Sequence, residues 1–495
     1  MVGDRPIETR PGSLRERVLS GLFWSASARL VGQVFTWAIT IVVIRLLTPA
    51  DYGLLAMASV FVNFVVLLAE AGLGMAIVQR QSMDESELRR VFGAVILIDG
   101  LLFLVQFAAA PAIAFFFGEE RLIAMIRVMA LQFLLTIFSV IPISLMTRTL
   151  DFKRQSLIEL ASAACGSVVT LALALSGWGV WAIIAGTVCG QLCRTVAINL
   201  VAPFLKWPDF SLSGLRTLMT FGGQVTAARV LWFIYSQADV FIAGKLLGKE
   251  LLGLYSVAMH VASLPVQKLS AVVNQVAFPT FAQTQHDVAA VRSYLLKAVR
   301  LLSFLSFPLL WGISSISSEI VEVLLGPGWA AAALPLQLLP LVMPLSMLTP
   351  FFNAAFQGIG HAGIVLRNVT TACLLMPAAF AFGVQWELPG LALAWVIAFP
   401  LVFFINLRRM LPVVDLTVSS VLGALAPCAL ASGLMYLAVA GARIAFAGRF
   451  FSDLALMAAL ISVGVVSYGA AAVLVNAKGL REVIGLVSRH AEMPA

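Results

Sequence analysis

Apolar runs of about 18 or more residues recur from one end of this chain to the other, each long enough to cross a bilayer core of roughly 30 Å as a helix. A backbone crossing that core must satisfy its own hydrogen bonds, which narrows the choice to helices or a closed barrel. Runs this long, without alternation, select helices. Composition agrees: 61% of the residues are hydrophobic and 11% charged, against about 45–50% and about 25% in soluble domains. No polar segment exceeds about twenty residues, too short for an independent domain of about 50. The expectation is an all-α polytopic membrane protein with about fourteen transmembrane helices.

The chain also repeats itself. Gly21 to Ala58 reads GLFWSASARLVGQVFTWAITIVVIRLLTPADYGLLAMA, and Phe221 to Ala258 reads FGGQVTAARVLWFIYSQADVFIAGKLLGKELLGLYSVA. Laid over each other without a gap, at an offset of 200 residues, Ala28-Arg29 falls on Ala228-Arg229 and Arg45-Leu46-Leu47 on Lys245-Leu246-Leu247. Gly53-Leu54 falls on Gly253-Leu254 and Ala58 on Ala258. In segments this rich in Leu and Ala the charged and glycine matches carry the weight. About six spans separate the copies, an even number, so both enter the membrane in the same direction, as in transporters built from two parallel six-helix halves.

The expected organisation follows. A cytoplasmic tail and interfacial helix cover 1–21, a six-helix lobe 22–203, a cytoplasmic linker 204–220 and a pseudo-symmetric six-helix lobe 221–411. Two further helices cover 412–476 and a cytoplasmic tail 477–495. Ser13-Leu14-Arg15-Glu16 reads as a capping box for the interfacial helix. Prolines within spans, among them Pro308, Pro340, Pro344 and Pro350, predict kinked or broken helices.

With the N-terminus in the cytoplasm, roughly 21 basic residues fall on the cytoplasmic side and about 6 outside, the bias the positive-inside rule demands. Both termini are then cytoplasmic. The net charge of +8 is explained by topology, and no nucleic-acid partner is expected. The basic start of the chain resembles a secretory signal, but Ala26-Ser27-Ala28 precedes the main apolar run instead of following it, so the first helix is expected to remain as a span.

Chemistry is excluded by what the sequence lacks. There is no phosphate-binding loop, so ATP hydrolysis is not expected. No long loop carries paired acids or a Ser/His/Asp set, and the chain is not expected to be an enzyme. The five cysteines lie inside apolar runs, where they behave as small hydrophobes. The four histidines are scattered without metal-ligand spacing, and neither metal nor cofactor is expected.

Intramembrane charges therefore hold the functional signal, because each costs about 2.5–3.5 kcal/mol to insert and asks for a partner or a wet cavity. Arg127 and Glu70 lie near span ends, where snorkelling accounts for them. Asp239 and Lys245 could form an ion pair or a cap. Arg29 and Arg229 sit deep in their spans at equivalent points of the repeat, so they either face a shared cavity or serve structure. Arg194 and Lys268 would enlarge the same cationic zone as substrate-binding residues. Asp99 is a candidate for proton or sodium coupling, or for pairing with one of the arginines, and Asp239 is a second coupling candidate. Gln33, Gln106, Gln132, Asn274 and Gln275 could furnish polar walls or interhelical glue.

The stretch Arg45-Leu46-Leu47-Thr48-Pro49-Ala50-Asp51-Tyr52-Gly53, with Trp24 and Arg29, resembles the opening helices of bacterial polysaccharide flippases of the multidrug/oligosaccharidyl-lipid/polysaccharide exporter superfamily. Phe221-Gly222-Gly223-Gln224, Gln237-Ala238-Asp239, Gly244-Lys245-Leu246-Leu247-Gly248 and Leu252-Gly253-Leu254-Tyr255 resemble the family's seventh and eighth helices. Val276-Ala277-Phe278-Pro279, Gly326-Pro327-Gly328-Trp329 and Gly177-Trp178-Gly179-Val180-Trp181-Ala182 extend the likeness over about Gly21 to Leu411, nearest to exopolysaccharide and lipopolysaccharide exporters.

The resemblance implies a fourteen-helix transporter of the bacterial inner membrane that flips undecaprenyl-diphosphate-linked oligosaccharides to the periplasmic leaflet by alternating access. It implies that early-helix arginines meet the lipid diphosphate, which Arg29 and Arg229 match by position and Lys268 less closely. Lipid-linked oligosaccharide and membrane lipids are the implied partners, with a polysaccharide polymerase and export machinery as further candidates. The competing readings are a flippase for the peptidoglycan lipid precursor and a cation-coupled drug exporter, which would want a carboxylate-dominated cavity. A membrane polymerase or ligase would want a large catalytic loop.

Overall fold

The computed structural model describes residues 32–33, 35–69, 77, 84–204, 206–211, 216–446, 452–477, 479–482 and 485, and over 216–229 and 268–276 it describes the backbone only. The described chain is helical and holds no strand. Fifteen helices serve as landmarks. They are α1 (Phe35–Leu46), α2 (Pro49–Ala69), α3 (Glu85–Phe117), α4 (Arg121–Ile137) and α5 (Val140–Arg148), then α6 (Phe152–Leu175), α7 (Val180–Val201), α8 (Arg216–Leu246), α9 (Gly248–Thr284) and α10 (Val288–Ser315). The last are α11 (Ala333–Gly358), α12 (Ala362–Gly383), α13 (Glu387–Met410), α14 (Val418–Phe446) and α15 (Asp453–Val475). Nine segments of the described chain are long and apolar enough to cross a membrane, or ten when α4 and α5, bent by 47°, form one span. At 31 and 37 residues α8 and α9 are long enough too, but their side chains are described over only part of their length.

Local chemistry sets the helix ends. Asp84 caps α3 by accepting from the Glu87 N–H at 2.7 Å, and Gly118 closes it with φ 75°, the left-handed conformation that glycine adopts without steric cost. That N–H, with the Ser86 hydroxyl, holds the Asp84 carboxyl below the usual carboxylate range. Thr48 and Asp51 cap α2 reciprocally: the Thr48 N–H donates to Asp51 Oδ2 at 3.0 Å and the Asp51 N–H to Thr48 Oγ1 at 3.3 Å.

Contacts divide the chain into two compact units, one holding residues up to Leu47 and Phe61–Ala227, the other Thr48–Val60 and Ala228 onward. In the first unit α6 and α7 approach closely along Gly166, Gly186 and Gly190, where a Cβ would strike the facing backbone. Such small-residue contacts suit helices with no hydrophobic drive to associate in lipid. The expected linker begins as a strap on the foot of α3. The Asp209 N–H donates to the Arg89 carbonyl at 3.0 Å, Arg89 Nε to the Trp207 carbonyl at 2.8 Å, and Lys206 pairs with Glu85 at 3.1 Å. Helix α8 has begun by Arg216.

In the second unit the first turns of α2 cross α9 at the matching glycines of the repeat. A Cβ on Gly53 would overlap the Lys249 carbonyl, and one on Gly253 would overlap the Pro49 carbonyl. Pro49 and Lys249 are themselves 200 residues apart, so the crossing is reciprocal in the way of a two-fold contact. Tyr52 meets Trp329 edge to face, ring centroids 5.4 Å apart, which gives the Gly326-Pro327-Gly328-Trp329 motif a packing role.

Of the kinked or broken helices expected at the prolines, breaks do not form: α10 and α11 run unbroken through Pro308 and through Pro340, Pro344 and Pro350. The same stretch is tied to α10, since Ser314 Oγ donates to the Gln337 carbonyl at 2.5 Å and Trp311 Nε1 to the Leu341 carbonyl at 3.1 Å. The sharp bend falls instead at Phe138-Ser139, between α4 and α5.

Helices α14 and α15 are fastened to the second unit. Arg443 grips Glu319 through Nε and a terminal nitrogen, both at 2.7 Å, and donates to the Ser315 carbonyl. The Tyr468 hydroxyl donates to the Phe304 carbonyl at 2.9 Å. Beyond α15, Glu482 accepts a fork from Arg300, with the shortest bond at 2.7 Å.

Candidate functional site

The described polar groups inside the helices fall into two sets, one in each unit. In the first, Asp99 of α3 is 3% exposed and accepts no hydrogen bond from any described residue. Gln106, two turns on, is 1% exposed and donates to the Ile126 carbonyl at 3.1 Å, tying α3 to α4. Arg127 of α4 lies over the Phe107 ring, 4.5 Å from guanidinium carbon to ring centroid, a cation–π contact. Its Nε has no hydrogen-bond partner. Arg194 of α7 pairs with Glu159 of α6 at 3.8 Å, with both side chains about a third exposed. Such a long and half-solvated pair holds its charges loosely.

The second set is tighter. Asp239 of α8 is 3% exposed. It accepts from the Tyr255 hydroxyl of α9 at 2.6 Å and from the Val240 N–H at 2.8 Å. Trp395 of α13 in turn donates from Nε1 to the Tyr255 oxygen at 2.8 Å. One acid, one phenol and one indole thus join three helices. The bonds of Asp239 are with these groups, and an ion pair with Lys245 is not among them. Tyr255 and Trp395 were assigned no role from sequence, yet a local signal for Tyr255 exists. Asp239 and Tyr255 lie at equal sequence distance on either side of Leu247, where α8 turns into α9. An antiparallel helical hairpin brings such positions to one level.

The remaining expected site residues divide by what is described. Arg29 and Glu70 lie outside the described residues. Arg229 lies on α8 and Lys268 on α9, while their side chains, like those of Asn274 and Gln275, lie outside. The six candidates are therefore not brought together by any described contact, and what the geometry resolves is the pairing of Arg194 and the bonding of Asp239. No group of three or more His, Cys, Asp or Glu side chains able to hold a metal occurs among the described residues. What the arrangement offers is two buried carboxylates of different kinds. Asp239 is held by neutral donors, and Asp99 is buried with no hydrogen bond from a described residue.

The family described as "Polysaccharide biosynthesis protein" matches residues 42–334. The chain is similar to the succinoglycan biosynthesis transport protein ExoT of Rhizobium meliloti (strain 1021), 27% identical over 343 residues, covering 68% of this chain and 69% of that one. It is also similar to the teichuronic acid biosynthesis protein TuaB of Bacillus subtilis (strain 168), 26% identical over 399 residues and covering 78% and 80% of the two chains. Among solved structures, the lipid II flippase MurJ in an inward closed conformation shares the fold, with TM-score 0.70 and 14% identity over 92% of this chain and 99% of that one.

Proposed function

The chain belongs to the polysaccharide biosynthesis protein family, and from that premise we propose that it flips undecaprenyl-diphosphate-linked oligosaccharides from the cytoplasmic to the periplasmic leaflet of the bacterial inner membrane. The product feeds exopolysaccharide or lipopolysaccharide assembly, both termini are cytoplasmic, and the cycle is one of alternating access. The observation that carries this reading is the family match over residues 42–334, which spans the polar turns of both copies of the repeat.

Within this reading Arg29 and Arg229 are the first phosphate contacts, because a guanidinium fork matches two phosphate oxygens at once. Lys268 adds a point charge. Arg194 can exchange its loose bond with Glu159 (3.8 Å) for a diphosphate, since a half-exposed pair of that length has little to lose. Asp99 and Asp239 serve coupling to a proton or sodium gradient. The Tyr255 hydroxyl on Asp239 gives that step a donor that must turn away when a cation arrives.

The test is transport of defined lipid-linked oligosaccharides by the purified protein in liposomes, beside polysaccharide export in cells. Arg29→Ala and Arg229→Ala should each abolish export, with a loss above about 100-fold, roughly the value of a bidentate charged contact, while protein levels in the membrane stay constant. Export at the wild-type rate by both variants would remove the cationic substrate contact.

A further inference from the structure

The second unit contains a cleft that none of the roles above uses. It lies among α8, α11, α12 and α13, with about 50 Å³ open to the centres of water molecules. Trp232, Phe352 and Phe399 contribute aromatic walls, and Asn353, Asn368 and Asn406 contribute the amides. Among the described residues no aspartate, glutamate, lysine, arginine or histidine lines it.

Asn368 is the anomaly. It is 4% exposed, and neither its Oδ1 nor its Nδ2 has a hydrogen-bond partner. Asn406 donates from Nδ2 to the Asn368 backbone carbonyl at 3.4 Å and leaves its own Oδ1 buried and unpaired. Buried amides are rarely left bare, because their lost hydration is recovered only by a partner. Three such atoms beside one cleft mark a place where something polar belongs.

The lining says what kind of ligand fits. An asparagine offers a donor and an acceptor side by side and carries no charge. Among the described lining residues a phosphate would find no cation to balance it, and a cation would find no carboxylate. A sugar presents adjacent hydroxyls, each both donor and acceptor, on a ring whose C–H face suits an aromatic wall. Pockets of this composition, apolar and aromatic with a few fixed polar groups, suit uncharged polar ligands. The cleft also lies where α12 begins and α13 ends, the cytoplasmic end in the proposed orientation, where substrate would be loaded.

We propose that the cleft of Asn353, Asn368 and Asn406 binds an uncharged sugar residue of the transported oligosaccharide by its edge. This rests on the transport reading above and deepens it, giving glycan recognition a place separate from the phosphate contacts.

The test is intrinsic tryptophan fluorescence of the full chain in nanodiscs, titrated through the millimolar range with free glucose, galactose, mannose and N-acetylglucosamine. A saturable change with at least one sugar is expected. It should weaken about tenfold in Asn368→Leu and in Asn406→Leu, the effect of roughly one lost hydrogen bond, and its signal should vanish in Trp232→Phe. Asn368→Ser, which keeps a hydroxyl, tests the position should the leucine variant fail to fold. No saturable response to any sugar, or an equal response in every asparagine variant, overturns the proposal. So does a response to sodium chloride over choline chloride without one to sugar, which would assign the amides to a cation. Transport assayed on the same preparation separates the two readings. Transport without sugar binding sinks the cleft alone, and sugar binding without transport of any lipid-linked oligosaccharide sinks the flippase.

Discussion

Where they cross, the two copies of the repeat are alike in their small residues and unlike in the chemistry beside them. At their crossing Gly53 lies against the Lys249 carbonyl and Gly253 against the Pro49 carbonyl, so each copy supplies the same small residue and the same kind of surface. Eight residues to either side of Leu247 the second copy places Asp239 and Tyr255, bonded at 2.6 Å. The matching positions of the first copy are Ile39 and Leu55. Duplication has thus kept what lets two helices approach and has changed what they carry inside.

The largest expected effect tests the shared part. Gly53→Val and Gly253→Val each put methyl groups where backbone stands, and each should cost about 3 kcal/mol or more through overpacking. The readout is Tm and the yield of monodisperse protein. Reciprocity requires comparable losses, and one tolerated substitution beside one fatal one would break the two-fold picture.

The next effect tests the part that differs. Tyr255→Phe leaves buried Asp239 without its hydroxyl donor and should lower stability by about 1–3 kcal/mol. Asp99→Asn, at a carboxylate with no described donor, should leave Tm almost unchanged while altering the dependence of transport on the ion gradient. Equal thermal losses from both variants would show that Asp99 is as firmly held as Asp239.

The smallest effect compares ion pairs between the units. The Arg300–Glu482 fork, at 2.7 Å and with side chains 21% and 19% exposed, should show a coupling energy of about 1–3 kcal/mol in a double-mutant cycle. For Arg194–Glu159 the coupling should stay below about 1 kcal/mol. A strong coupling there would deny Arg194 the freedom to leave for a phosphate.

Much of the architecture was legible in the chain because it rests on local terms. Apolar length dictates spanning helices. The turn at Thr48–Asp51 and the stop at Gly118 follow from capping and from a left-handed glycine, each settled within four residues. An unchanged offset of 200 residues revealed the duplication. Even so, whether a proline breaks a span was not legible: α11 stays one helix through Pro340, Pro344 and Pro350.

The candidate site was legible only as a set of misplaced charges. Arg194 could be singled out by its cost in hydrocarbon, but its partner Glu159 could not. Trp395 lies 140 residues from the Tyr255 oxygen it meets, and Asn406 lies 38 from Asn368. A helix in lipid is apolar all round, so no amphipathic stripe announces which face turns inward or which neighbour it will meet. The chain by itself determined its class, its duplication and the residues too polar for lipid. Tertiary packing alone decided which of those residues are consumed by partners and which are left facing open space, because in a membrane that choice is made by close fit between helices and not by the hydrophobic effect.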